Sequence, residues 1–151
     1  MSDLIKLYNG TVTKDATDGT ELSQNGTQTN PLSFTLNAAK EESSCQQIAI
    51  RCDSGYKTYG DTVITAYHYN SETKKYEPNT GDTAKWFFAV GDYDSAANAL
   101  TNAAWSNKLT ISDVITDKNT LIWVKAASSK AEIPANDTDE SIHIEAVIEQ
   151  A

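Results

Sequence analysis

The strongest constraint on the fold of this chain is a period-two alternation of apolar and polar residues in short runs. Near the C-terminal end, Ile144 and Ile148 alternate with His143, Glu145 and Val147. Such alternation is typical of a strand with one buried face, so we expect the isoleucines to point inward and the other three outward. The same pattern predicts strands at residues 32–36, 47–52, 63–69, 86–88, 109–111, 121–125 and 142–148.

Turn-forming residues separate almost every pair of these predicted strands. Gly, Asp, Asn and Pro mark turns at residues 17–19, 25–26, 53–55, 59–61, 78–81 and 117–119. About seven to nine short strands at this spacing predict an all-β fold rather than a parallel α/β fold, and we expect an immunoglobulin-like antiparallel β-sandwich. Trp86, Phe88 and Trp123 are its predicted aromatic core. Residues 94–104, rich in Ala and Asn, fit a short helix or a loop equally well.

The charge of the chain limits its partners. Its formal net charge is −9, and the acidic residues are spread along the chain. A surface of this sign repels phosphate backbones and anionic lipid, so we expect neither nucleic acid nor membrane as a partner. Residues 1–7 show no basic segment followed by an apolar stretch. We therefore expect no signal peptide and synthesis in the cytoplasm.

The sequence offers no recognisable catalytic or metal-binding motif. Cys45 and Cys52 flank a predicted strand, which separates their Cα atoms by about 23 Å and excludes a disulfide between them. Their odd spacing places them on opposite faces, with Cys52 on the buried face. His68 and His143 both lie in predicted strands, where a structural or solvent-facing role is the default interpretation. The prediction is a protein without catalytic, cofactor-binding or metal residues, and thus not an enzyme.

Two acidic loops, residues 92–94 and 136–140, carry oxygen ligands of the kind that Ca²⁺ prefers. Neither loop matches a spaced calcium motif such as the EF-hand. Asp and Asn are also common in turns, because their side chains bond to the nearby backbone. This second interpretation is the favoured one.

The first thirty residues differ from the rest of the chain. Ile5 and Leu7 predict an N-terminal strand, but residues 9–30 are almost all Thr, Gly, Asn, Asp and Gln. We therefore distinguish residues 1–30, a polar arm or hairpin, from residues 31–151, the sandwich. We predict that deleting residues 1–30 leaves the sandwich folded but weakens assembly, whereas loss of cooperative unfolding would show that this segment is part of the core.

The remaining candidates for a binding surface are five tyrosines close together in the sequence: Tyr56, Tyr59, Tyr67, Tyr69 and Tyr76. Exposed tyrosines would form a stacking platform for sugars or an anchor for a protein partner. Packed tyrosines would belong to the core, with their hydroxyl groups at its rim. Packing is the favoured interpretation.

Several stretches carry a family pattern: residues 51–62 with Asp53-Ser54-Gly55, the dipeptide Lys85-Trp86, residues 109–126 with Leu121-Ile122-Trp123-Val124, and Pro134-Ala135-Asn136-Asp137-Thr138. Together they resemble the immunoglobulin-like modules of tailed-phage and prophage virion proteins, over residues 31–151. The resemblance implies a non-enzymatic structural role in the virion, such as decoration of the capsid or tail. It implies other virion proteins as partners and a homo-oligomer on the particle, but no particular binding residues.

A second hypothesis is an adhesive or carbohydrate-binding β-sandwich on a cell or phage surface. It would gain support from exposed tyrosines between residues 56 and 76, which would offer their rings to surface glycans.

Overall fold

The chain forms two antiparallel sheets that pack face to face. The computed structural model describes residues 4–22, 43–70, 72–78, 86–127 and 140–151. The elements are β1 (Ile5–Asn9), β2 (Thr20–Glu21), β3 (Ser43–Cys52), β4 (Tyr56–Asn70), β5 (Lys75–Pro78), β6 (Trp86–Ala89), α1 (Ala96–Asn102), β7 (Lys108–Ile111), β8 (Thr120–Ala127) and β9 (Glu140–Gln150). The predicted all-β sandwich is confirmed. The predicted strand at residues 32–36 and the turn at residues 25–26 lie outside the described residues.

The first sheet has five strands in the order β2-β1-β3-β8-β6. Within it, β1-β3-β8-β6 is the order of strands A, B, E and D in an immunoglobulin-like sandwich. The strand that follows β3 in the chain, β4, belongs to the other sheet. The turn at residues 53–55 between them therefore crosses from one sheet to the other. That turn closes with a 3.1 Å hydrogen bond from the Tyr56 amide to the Asp53 carbonyl.

The second sheet is built around β4, the longest strand. Strand β9 pairs along one edge of β4, while β7 and β5 pair one after the other along the opposite edge. The predicted turn at residues 59–61 is wrong, because β4 continues through these residues with a bulge between Tyr59 and Val63. Gly60 has a φ of 80° there, which explains its presence within the strand. A Gly that predicts a turn can therefore equally belong to a bulge within a strand.

The main core lies between the sheets and comes from the predicted alternation. Its fully buried members include Ile48, Ile50, Ile64, Phe88, Ile122 and Val124. Trp86 packs against this cluster from its margin. Cys52 is 1% exposed beside the isoleucines of β3, and its burial raises the pKa of the thiol to about 11. Both cysteines are free thiols, and Cys45 lies on the opposite face of β3.

A smaller cluster covers the outer face of the first sheet. Trp123 is buried there rather than between the sheets, which corrects the expectation that it joins the main core. The helix α1, one of the two outcomes open for residues 94–104, supplies Ala99 and Leu100 to this cluster. The Trp123 indole Nε1 donates to the Gly91 carbonyl at 3.2 Å. The sandwich therefore buries aromatic residues on both sides of its first sheet.

The described N-terminal residues belong to the sandwich. Ile5 and Leu7 of β1, with Leu22 just after β2, are part of the main core. The loop between β1 and β2 packs on the first sheet, where the Arg51 guanidinium donates to the Asp18 carbonyl at 2.8 Å. Of the two alternatives for this region, residues 4–22 adopt the hairpin.

One margin of the sandwich is closed by the chain as it leaves α1. Ser106 exchanges two backbone hydrogen bonds with Phe88 of β6, at 2.7 and 3.0 Å. The backbone carbonyl of the next residue, Asn107, accepts a hydrogen bond from the backbone amide of Ala66 in β4 at 3.0 Å. Two successive residues thus connect the first sheet to the second, and β7 follows at once.

Candidate functional site

The candidate site is the outer face of the second sheet, the side of β4 that points away from the core. Strand register places Tyr59 beside Val147 on this face, and Thr65 beside His143. Tyr67 follows on the same side of β4, and Tyr76 lies on the adjacent strand β5. We call Tyr59, Tyr67, Tyr76, His143 and Val147 the tyrosine face.

One end of the tyrosine face exposes an apolar pair. Tyr59 is 68% exposed and its register partner Val147 is 62% exposed. These are cross-strand neighbours on adjacent strands, so their side chains lie close enough to be covered together by one partner. Next to them, Lys57 and Glu149 form an ion pair at 3.6 Å. This end therefore combines exposed apolar side chains with a neighbouring ion pair whose two charges cancel.

The middle of the face is a stacked ring pair. The rings of Tyr67 and His143 are nearly parallel, with centroids 4.3 Å apart and an interplanar angle of 13°. The His143 Nε2 lies 3.4 Å from the Glu145 carboxylate. The stack holds both rings in place, so this part of the surface is preorganised.

The other end of the face carries Tyr76, which is 52% exposed. The hairpin that presents it is fixed by hydrogen bonds from the Asn70 amide and the Thr73 hydroxyl to Glu77, both 3.0 Å long. These two bonds hold the pKa of the Glu77 carboxyl below its ordinary value. Tyr76 thus lies on a locally ordered strand.

The two exposed ends are far apart. Six residue steps along β9 lead from Val147 to Ser141, the register partner of Tyr67. Two more steps along β4 lead to Tyr69, the register partner of Tyr76, so the face spans eight steps. At about 3.3 Å per residue this is roughly 25 Å. One sugar ring cannot touch both Tyr59 and Tyr76, whereas a protein surface can.

Not all of the predicted tyrosines lie on this face. Tyr56 packs against the main core, as the packed alternative expects. Tyr69 is the backbone register partner of Tyr76, and its side chain lies outside the described residues. The structure therefore places Tyr59, Tyr67 and Tyr76 on the tyrosine face and Tyr56 against the core.

The tyrosine face carries charges of both signs, and the exposed Asp61 of the bulge lies next to its Tyr59 end. Its charged neighbours at paired strand positions are Lys57, Lys108, Glu145 and Glu149, two of each sign. The whole chain carries −9. Most of the acidic excess therefore lies elsewhere on the molecule.

Among the calcium candidates, the described loop at residues 92–94 follows the turn interpretation. The Asp94 carboxylate accepts a hydrogen bond from the Asn98 side chain at 2.7 Å, and Ser95 caps α1. Across the described ranges, no three His, Cys, Asp or Glu side chains come together to hold a metal ion. Residues 136–139 of the second acidic loop lie outside these ranges.

Val147 and His143 complete the face and were not among the predicted site residues. Their outward orientation was already indicated by the alternation in β9. The missing information was the register between β9 and β4, which joins residues about eighty positions apart and leaves no local signal.

In the part of the chain that the structure describes, no helix is both long enough and apolar enough to span a membrane. Comparisons with protein-family models, with curated proteins and with solved structures found no match. The resemblance of residues 31–151 to phage immunoglobulin-like modules thus stays a prediction from the sequence.

Proposed function

We propose that this chain is a non-enzymatic structural protein that decorates a phage capsid or tail, and that its protein contacts use the tyrosine face. The observation that carries the contact surface is the exposed pair Tyr59 and Val147 on adjacent, paired strands. The virion setting is supported by the resemblance of the sequence alone.

The energetics favour a buried Tyr59–Val147 pair. Covering one large apolar side chain contributes about 1.5–3 kcal/mol. The two side chains already belong to paired strands, so little conformational entropy is lost when a partner covers them. Two such anchors suit a modest contact that is repeated many times over a regular particle, where multivalency raises the total affinity.

The test is binding to virions made by the strain that encodes the chain. Purified protein is added to stripped particles, and its occupancy is measured by quantitative electron microscopy and by co-sedimentation. Val147→Lys places a charge in the centre of the apolar pair, and we expect occupancy to fall at least tenfold. Val114→Lys is the matched control, because Val114 is 52% exposed but lies in the loop after β7.

Fixed occupancy by the wild type and Val114→Lys, with loss in Val147→Lys, is the expected result. If the wild type occupies no site on head or tail, the decorating role is rejected. If Val147→Lys occupies particles as fully as the wild type, the contact lies on another surface.

A carbohydrate-binding function is the second candidate, because exposed Tyr59 and Tyr76 favour it. Their separation restricts it to long glycans or to one ring at a time. Glycan-array binding that is lost in Tyr59→Ala and kept in Val114→Lys would promote this candidate. An array without signal at millimolar-range sensitivity would remove it.

A further inference from the structure

We propose that the outer edge of β9 is a strand-acceptor site, and that its occupant is the segment at residues 32–36 of the same molecule. The inference is independent of the proposed function, because it concerns the edge of the second sheet and not the tyrosine face. Four observations single out this occupant: the edge itself, the direction in which residues 23–42 must run, their length and their apolar pattern.

The edge of β9 is the first observation. Among the described residues, β4 pairs with one side of β9 and no strand pairs with the other side. The edge comprises the eleven residues Glu140–Gln150 and contains neither proline nor lysine. Proteins normally cover such an edge, because its backbone groups would otherwise pair with other chains. Three inward side chains of β9 are only partly buried against the main core: Ile142, Ala146 and Ile148. The edge and the core beside it therefore both fit a further strand with one apolar face.

This edge lies on the same side of the sandwich as the N-terminal hairpin. Ser106 and Asn107 connect β6 of the first sheet to the β7 side of β4. Because β9 lies on the other side of β4, it faces the opposite margin of the first sheet, which β1 and β2 form. Leu22, the last residue described before residues 23–42, follows β2 at this margin. The undescribed segment therefore begins beside the edge of β9.

Direction is the second observation. We call the end of the sandwich that carries the turn at residues 53–55 the upper end, and the opposite end, where β3 begins, the lower end. Strand β4 starts at the upper end, and β9 is antiparallel to it, so β9 runs from the lower end to the upper end. An antiparallel partner of β9 must therefore run from the upper end to the lower end.

Residues 23–42 have to run in this direction. Leu22 lies near the upper end, because its amide donates to the Leu7 carbonyl at 2.8 Å and Leu7 pairs with Ile50 near the end of β3. The segment ends at Ser43, the first residue of β3, at the lower end. A strand that follows this path along β9 is antiparallel to it, as every other pair in the sheet is.

The other two long undescribed segments between elements do not run in this way. Residues 128–139 begin after Ala127 and end before Glu140, and both of these residues lie at the lower end. Residues 79–85 join β5 to β6, which lie at the opposite margins of the two sheets from β9. The ends of residues 23–42 are thus the pair that fits a strand along the whole edge.

Length is the third observation. Ser43 lies seven residues before Ile50 on β3, so the segment has to descend about 23 Å. Its twenty residues can span up to about 66–72 Å when extended. The surplus is enough to cross the roughly 10 Å between the two sheets and to form a strand on the second.

The apolar pattern is the fourth observation. Leu32, Phe34 and Leu36 alternate with polar residues, so a strand here has one apolar face. When it pairs with β9, this face continues the inner surface of the second sheet and covers the three partly buried side chains of β9. The turn residues at 25–26 precede it, where the chain has to bend from the first sheet to the second.

NMR spectroscopy of the isotopically labelled full chain tests the pairing in the wild type. We expect backbone nuclear Overhauser effects (NOEs) between residues 32–36 and β9. We also expect slow amide exchange at consecutive residues in the middle of β9, because both sides of the strand are then hydrogen-bonded. Fast exchange at every second residue of β9 overturns the proposal, and so do NOEs that place residues 32–36 beside another strand.

Two charge variants test which face of the segment is buried. Phe34→Asp places a carboxylate on the apolar face, and we expect the β9 amides that point away from β4 to exchange about tenfold faster or more. Ser33→Asp places the same charge on the opposite face of the same strand, and as the matched control it should leave this exchange near the wild-type rate. Equal exchange in the two variants overturns the assignment. If Phe34→Asp does not fold, the NOEs of the wild type decide.

A mixture of labelled and unlabelled chains separates this occupant from a second copy. We expect the NOEs between residues 32–36 and β9 to arise within single molecules. Intermolecular NOEs between them would overturn the assignment and show that the strand is exchanged between copies. None of these measurements involves a virion, so the proposed function can fail while this inference holds, and the reverse is also true.

Discussion

At the scale of single residues, Asn119 connects three separate parts of the molecule. Its side-chain amide donates to the Thr13 carbonyl at 3.0 Å and to the Asp18 carboxylate at 2.8 Å. The side-chain oxygen Oδ1 of Asn119 accepts a hydrogen bond from the Arg51 guanidinium at 2.7 Å. The Arg51 guanidinium also stacks on the Tyr8 ring, 3.5 Å from its centroid. One buried amide thus links the N-terminal hairpin, β3 and the start of β8.

We predict that Asn119→Ala lowers the free energy of unfolding by about 2–3 kcal/mol, because the buried Asn119 side chain loses three part-buried hydrogen bonds together, each worth about 1 kcal/mol. Urea denaturation at constant temperature measures the loss. Asn102→Ala, on the exposed side of α1, is the matched control and should change stability by less than about 0.5 kcal/mol. Equal effects of the two variants would show that the buried amide contributes no special stability.

A second prediction at this scale concerns Cys52, whose thiol has a pKa raised to about 11 by burial. Between pH 9 and pH 11 the unfolded thiol loses its proton while the folded thiol largely keeps it, so the unfolded state binds fewer protons and stability falls as pH rises. At most about 1.4 kcal/mol is lost per pH unit, so the wild type should lose about 2 kcal/mol more than Cys52→Ala over this interval. Urea titrations of both proteins across this range provide the measurement. Parallel pH profiles of the two proteins would contradict the assigned thiol.

At the scale of elements, local pattern predicts the strands whose two faces differ most. Strands β3 and β9 follow from alternating isoleucines that face the main core. Strand β8 follows from a short apolar run, which is buried on both faces. The short strand β2 has two exposed polar residues and gives no such signal. The continuity of β4 through Gly60 depends on pairing with β9 on both sides of the bulge. At this position, pairing with the distant strand β9 determines whether the residues form a bulge or a turn.

The N-terminal hairpin leads to a prediction at the same scale. Deleting residues 1–22 removes Ile5 and Leu7, which are 0% and 6% exposed, and uncovers β3 along one edge. We expect the truncated chain to lose cooperative thermal unfolding, which calorimetry would record as a missing heat-capacity peak. A sharp transition near the wild-type temperature would instead identify the segment as a separable arm.

At the scale of the whole molecule, the net charge of −9 predicts how copies of the chain interact in dilute salt. Added salt screens the repulsion between two chains of this charge. We expect the second virial coefficient of the purified chain to fall several-fold between about 20 mM and about 300 mM NaCl. Static light scattering at both salt concentrations measures this coefficient. A coefficient that stays constant would show that the repulsion between copies does not come from charge.

The pairing of β9 with β4 also has a mechanical consequence. The two strands are in register at ten residue pairs, interrupted by one bulge. Tension that enters through residue 151 and runs along β9 would pull this ladder in shear, so its hydrogen bonds would share the force instead of opening one at a time. The bulge interrupts this ladder. Under tension we therefore expect β9 to separate from β4 first on the side of the bulge with fewer pairs, at the four pairs from Tyr56 to Tyr59.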